Sequence, residues 1–128
     1  MERAIQIFAV INFGVIGLSH LVQPKPWVEF FLWLRERGRA GVFAVGYMSL
    51  MFGSIVVAFH NVWQGIPLVL TLIGWAQVIK ALVYFVFPSF GLRRLELVSP
   101  ERAALFRIAG VVFIALAGLL LFHLVGSA

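Results

Sequence analysis

A chain of 128 residues that is 62% hydrophobic and only 12% charged cannot cover itself with polar surface, which excludes a water-soluble domain and makes lipid its solvent. Its formal net charge is +5, yet the basic residues flank apolar runs and form no stripe, so anionic lipid headgroups are the expected partner and nucleic acid is not. Cysteine and aspartate are both absent, and Glu2, Glu29, Glu36, Glu96 and Glu101 all lie outside the long apolar runs; disulfides, thiolate metal sites, C-x-x-C redox chemistry and a proton-coupled pump lose their usual residues.

Four apolar runs, about residues 4–22, 41–60, 66–87 and 103–125, are long enough to cross a bilayer core as helix. The first has the short charged start of a signal peptide in Glu2 and Arg3. No small-x-small cleavage pattern follows Leu18, however, and the run leads into a turn bounded by Pro24 and Pro26, so a retained span is expected. After it, PKPWVEFFLWLRERGRAG places Trp27, Phe30, Phe31 and Leu34 at i, i+3, i+4 and i+7, one face of a short helix over about 26–37. Bulky aromatics on one side with cations around them predict an amphipathic interfacial anchor; a docking surface for a partner or a lipid is the alternative.

Gly65 and Pro67 mark a very short connection between the second and third spans, predicting a tight antiparallel pair. Pro88 and Gly91 end the third. Ser99-Pro100-Glu101 starts the fourth, with Ser99 as N-cap, proline at the first helical position and an acid at the positive end of the dipole. The expected fold is all-α: a single integral membrane domain, a four-transmembrane-helix bundle with one interfacial helix after the first span.

Cations fix the expected direction. Lys25, Arg35, Arg37 and Arg39 follow the first span and Arg93, Arg94, Arg102 and Arg107 surround the third connection, whereas the opposite side has only Arg3. Short basic loops stay cytoplasmic, so both termini and the 60–67 hairpin are expected on the non-cytoplasmic side of a cell inner membrane. Such a lopsided bias argues against dual-topology dimers.

Lys80 stands inside the third span. With Gln77 three residues before it and Tyr84 four after, it defines a polar track on one helix face. Three readings stay open for it: snorkelling to lipid phosphate, a bound anionic or carbonyl-bearing ligand, or bonds to backbone carbonyls. With His20 added from the cytoplasmic end of the first span, Lys80, Gln77 and Tyr84 are the candidate ligand-binding residues. His60 and His123 share the other end, where a histidine pair invites a heme reading, although both sit where the chain meets water. The sequence requires no cofactor; quinone and heme are the candidates to be considered. No residue set qualifies as catalytic or as a metal site. Asn12, near the middle of the first span, is expected to bond across helices. Gly14, Gly17, Gly46, Ser49, Gly53, Gly110 and Gly118 supply small faces for close helix approach within the bundle, or for self-association.

GLSHLVQP, residues 17–24, resembles the G-x-x-H-x-x-x-P signature at the end of the first span in the DoxX-like family of small four-span bacterial inner-membrane proteins, matched by Gly17, His20 and Pro24. Gly46 and Gly53 match two glycines of the family's next span. Ser49 stands where the family commonly has a glutamate, and Phe87-Pro88 lacks the asparagine that tends to follow. The resemblance covers about a third of the chain. It implies a small membrane protein of a kind in which some members accompany redox or quinone-linked complexes as accessory subunits.

Two functional readings follow. The first is a non-enzymatic accessory or scaffold subunit that meets a membrane-protein partner or forms a homo-oligomer. The second is a quinone- or lipid-binding membrane protein with a redox-linked role.

Overall fold

A computed structural model describes residues 1–127 of the chain. Its elements are α1 (Glu2–Val22), α2 (Pro24–Glu36), α3 (Arg39–Phe59), α4 (Pro67–Val86), α5 (Pro88–Leu95), a 3-10 turn at Pro100–Arg102 and α6 (Ala103–Gly126), with no strand among the described residues. α1, α3, α4 and α6 are each long and apolar enough to cross a membrane. The chain is an all-α, four-span bundle built as a multi-pass membrane protein.

Prolines position these helices. Pro24, Pro67 and Pro88 occupy first-turn positions of α2, α4 and α5, where a missing N–H costs nothing. Gly38, at φ 62°, makes the elbow between α2 and α3, and Gly65, at φ 71°, the one before α4; both are conformations that a Cβ disfavours. Ser99 takes the cap position, but its hydroxyl makes no capping bond. Its carbonyl accepts from the Arg102 N–H at 3.0 Å instead.

The four spans form two tight pairs. α1 runs antiparallel to α6, with Gly17 facing Gly110: a Cβ on Gly110 would lie 2.7 Å from the Gly17 carbonyl, and one on Gly17 would lie 2.8 Å from the Phe113 Cβ. α3 runs antiparallel to α4, where a Cβ on Gly53 would lie 2.8 Å from the Gly74 carbonyl. With no hydrophobic force between helices in lipid, such close backbone approach provides the dispersion contact that holds each pair. Gly14 and Gly118 face open space and take no part.

The molecule has two apolar cores at different levels, and only the first joins the two pairs, whose direct contact is light. Ile5, Ala9 and Phe13 of α1, Val56, Leu70, and Ala117 and Leu120 of α6 form one apolar core. At the other level Leu34, Val42, Val45, Tyr84 and Leu95 form a second. The first is stitched by Phe52, stacked on Phe8 at 5.5 Å and tilted against Phe13 at 5.4 Å.

α2 and α5 close the end where the second core lies. The anchor face packs on the bundle, with Leu34 buried and Trp27, Phe30 and Phe31 half-buried. Trp33 is the aromatic left exposed, at 49%, with the Arg37 guanidinium 4.8 Å above its ring. The reason is that α2 folds back tightly on α3, so closely that a Cβ at Gly41 would overlap the Leu34 carbonyl. α5 was not anticipated by the sequence pattern, which treats Pro88 and Gly91 only as a stop. It is a short amphipathic helix burying Gly91 and Leu95. Arg35 Nη1 donates to the Val98 carbonyl at 3.1 Å and ties α2 to the segment after α5. At the opposite end, Arg3 bonds the Leu124 carbonyl and Gln6 meets His60, so the described ends of the chain and the α3–α4 hairpin lie together.

Candidate functional site

Ile66, Leu70, Ile73, Gln77, Lys80 and Tyr84 follow one another at steps of three and four residues and therefore form one stripe along α4. The upper three pack into or against the first core, and Tyr84 belongs to the second. Gln77 and Lys80 occupy the interval between the two cores. The Gln77 side chain begins opposite Gly53, where a glycine Cβ would come within 2.9 Å of its own Cβ.

Lys80 lies six residues before the end of α4, a depth of about 9 Å at the helical rise. Its stem leans toward the α5 end and sets Nζ 5.5 Å from the centroid of the Tyr84 ring, a cation–π geometry. Tyr84 is 8% exposed and is gripped from α5: the Phe90 ring packs edge-on at 6.5 Å, and Gly91 lies flat against the Tyr84 ring. One turn beyond Phe90, Arg94 is exposed on α5. The site therefore sets one cation over a phenol at the α4–α5 elbow. Val83, Phe87, Pro88, Phe90 and Arg93 line an open depression of about 450 Å³ on the outer side of that elbow.

His20 is not part of this group. Its Nδ1–H donates to the Ile16 carbonyl at 2.8 Å, and its ring stacks on Trp27 at 4.1 Å and on Phe106 at 5.9 Å, with Phe113 edge-on at 5.6 Å. Trp27 Nε1 donates in turn to Ser19 Oγ at 2.8 Å. This cluster joins α1, α2 and α6 and includes no residue of α4. Its role is to dock α2 by stacking and one polar bond, with the histidine 6% exposed.

His60 corrects the expectation of a histidine at the water boundary, since it is fully buried. The Thr71 hydroxyl donates to the Val62 carbonyl at 2.8 Å and accepts from the Val62 N–H at 3.2 Å. Its oxygen is left to accept from His60 Nδ1–H at 3.0 Å, while the Gln6 amide donates to Nε2 at 3.1 Å. The ring is therefore a neutral Nδ1–H tautomer with both nitrogens committed, and burial pushes its pKa down. A heme or metal ligand needs a free imidazole nitrogen, so His60 does not fit the remote histidine pairing; His123 is half-buried on α6. Among the described residues no group of three His, Cys, Asp or Glu side chains is placed to hold a metal ion. Asn12, expected to bond across helices, bonds the Phe8 carbonyl of its own helix at 2.8 Å.

Thr71 and Arg94 escaped the sequence reading. Thr71 lies one turn after Pro67 in an apolar run, and Arg94 registers in the sequence only as a topogenic charge. The i to i+4 spacing of Phe90 and Arg94 is the signal that places both on the Tyr84 side of α5. No family model, curated protein or solved structure matches this chain.

Proposed function

We propose that this chain is a small non-enzymatic protein of the bacterial inner membrane that binds an amphiphile of the quinone or lipid class at Lys80. The carrying observation is the direction of Lys80: it leans onto Tyr84 on the inward stripe of α4, while every glutamate of the chain lies outside the four apolar runs. Leaving cations unneutralised in a low-dielectric setting is costly, and an anionic or strongly polarised carbonyl head removes that cost. The basic α2/α5 end faces the cytoplasm in this reading, with both termini outside, because its connections hold most of the cations. The likeness of Gly17, His20 and Pro24 to the DoxX-like signature supports the same membrane and an accessory place beside a redox-linked complex.

The test is native mass spectrometry of the gently solubilised protein with its visible absorption spectrum. The reading expects extra mass from a lipid or quinone that Lys80→Met loses. Retention of the same lipids and quinones by Lys80→Met sinks it.

A second reading, that of a scaffold subunit, rests on α6. Its main contact is with α1, and Leu105, Ile108, Val112, Leu119 and Phe122 stay exposed along its length. A stoichiometric protein partner lost on replacing Ile108 and Val112 by tryptophan supports that role; an unaltered, partner-free species argues against it.

A further inference from the structure

We propose that His60 is a pH-sensitive latch between the two helix pairs, whose protonated ring leaves its seat between Gln6 and Thr71 for the Glu2 carboxylate and so frees α1 from the α3–α4 hairpin. The inference is independent of Lys80, which lies toward the other end of the bundle. Among the described residues, the bond from the Gln6 amide to His60 is the one side-chain hydrogen bond between the α1–α6 pair and the α3–α4 pair. Direct helix contact between the pairs is light, and lipid replaces the apolar contacts of the first core without a hydrophobic penalty. A single polar clasp therefore weighs heavily on whether the pairs stay closed at this end.

The seat suits only a neutral ring. His60 is fully buried, and its two nitrogens meet a hydroxyl and an amide. On protonation the Gln6 amide can turn its oxygen to Nε2–H, which restores a hydrogen bond but supplies no counter-charge. α3 and α4 supply none either, because no Asp, Glu, Lys or Arg stands between Arg39 and Lys80. On α1, Arg3 is a cation bonded to the Leu124 carbonyl, and Met1 before it adds its amino group; on α6, His123 is half-buried. Glu2 is the one acidic side chain at this end. It stands one turn before Gln6 and lines an open depression of about 350 Å³ with Asn61 and Val62, the residues that follow His60, and with Trp63 and Gln64. An open destination that holds a carboxylate thus adjoins the buried seat. Residues 60–66 belong to no helix, so the ring moves between the two without unwinding α3 or α4. Burial holds the His60 pKa below its ordinary value, so the latch is closed at neutral pH and opens in acid. In the orientation proposed above, it reads the pH outside the cytoplasm.

Because the chain has no cysteine, spin labels on introduced cysteines report from chosen places alone. Double electron–electron resonance on the full-length protein in a neutral detergent compares Ile7→Cys/Phe59→Cys, which spans the two helix pairs, with Ile7→Cys/Phe122→Cys, which lies within the α1–α6 pair; all three native side chains are exposed. Between about pH 7.5 and about pH 5 the first label pair is expected to gain a longer-distance population that reverses on neutralisation, while the second keeps one distance. His60→Gln should abolish the response, and Gln6→Glu, which places a counter-charge in the closed seat, should hold the short distance in acid. Glu2→Gln alters an exposed side chain, so it reports even if His60→Gln folds poorly, and it should move the transition to lower pH. A parent distance that does not change with pH overturns the proposal, as does a response that survives in His60→Gln. Lengthening of both label pairs together also overturns it, because that is general loosening and not a latch. An unmoved transition in Glu2→Gln overturns the Glu2 destination.

Discussion

His60 and Thr71 are joined by a 3.0 Å hydrogen bond in which the buried imidazole donates from Nδ1, and the same threonine oxygen holds both backbone groups of Val62. One hydroxyl thereby organises the α3–α4 connection, and through Nε2 and Gln6 the ring reaches α1 in the other helix pair. Thr71→Val is expected to cost about 1–3 kcal/mol, because it leaves a buried imidazole N–H without an acceptor. Thermal unfolding in a fixed detergent measures this, and an unchanged midpoint would mean that the clasp adds nothing.

Burial lowers the His60 pKa, outweighing a backbone hydrogen bond and the Glu2 charge, which both act the other way. The folded state then binds fewer protons than the unfolded state, so the contribution is fully present above the unfolded value of about 6.5 and is lost as pH falls through the folded pKa. Stability should drop between pH 7.5 and pH 5. Protonation would also turn Nε2 into a donor facing the Gln6 amide donor. Gln6→Glu supplies an acceptor and should flatten or reverse the pH dependence, as followed by unfolding midpoints across that range.

Trp27 docks α2 through a stack on His20 and a bond to Ser19. Trp27→Phe keeps most of the stack and should cost about 0.5–1.5 kcal/mol, the net worth of one hydrogen bond. Trp27→Ala should cost about 3–5 kcal/mol and expose the α2–α3 elbow to protease. Once Phe replaces Trp27, Ser19→Ala should add almost nothing in a double-mutant cycle.

Gly110→Val forces α1 and α6 apart and should destabilise by about 1–3 kcal/mol through overpacking. Gly118→Ala, eight residues along the same helix, meets open space and should be neutral or slightly stabilising through helix propensity. Comparing the two by denaturation in mixed micelles separates close packing from a general intolerance of change in α6.

Lys80→Met should raise stability in neutral detergent by up to about 2–3 kcal/mol, since a partly buried cation within a span is replaced by an apolar side chain of similar length. Added phosphatidylglycerol should narrow that gap by stabilising the parent chain alone, a difference that melting with and without the lipid reads directly.

Span number, span limits and the tight hairpin at Gly65 and Pro67 were legible because each rests on local chemistry: apolar length, proline position and glycine φ. The ends of α3 and α4 fall within two residues of the apolar runs that predict them. Packing partners were not legible. The face of α2 looks identical in sequence whether Trp27 and Phe31 meet lipid or His20 and Phe106; only the backward fold at Gly38 and Gly41 decides. His60 reads as a boundary residue by its position after the span, and its burial depends on Gln6 and Thr71, 54 and 11 residues away. Likewise, the grouping of Lys80 with Tyr84 follows from helical spacing alone, but separating His20 from them required knowing that its ring packs on Trp27, Phe106 and Phe113.

The pairing of α1 with α6 sets the order in which the molecule becomes complete. α3 and α4, joined by a short turn, find each other as soon as both have left the ribosome and entered the bilayer. α1 enters first among the spans and has to wait for the last. During synthesis its Gly17 face therefore lacks its helix partner until Gly110 emerges. The described bundle is accordingly complete only once α6 docks, and damage to α6 would leave α1 without its main helix partner.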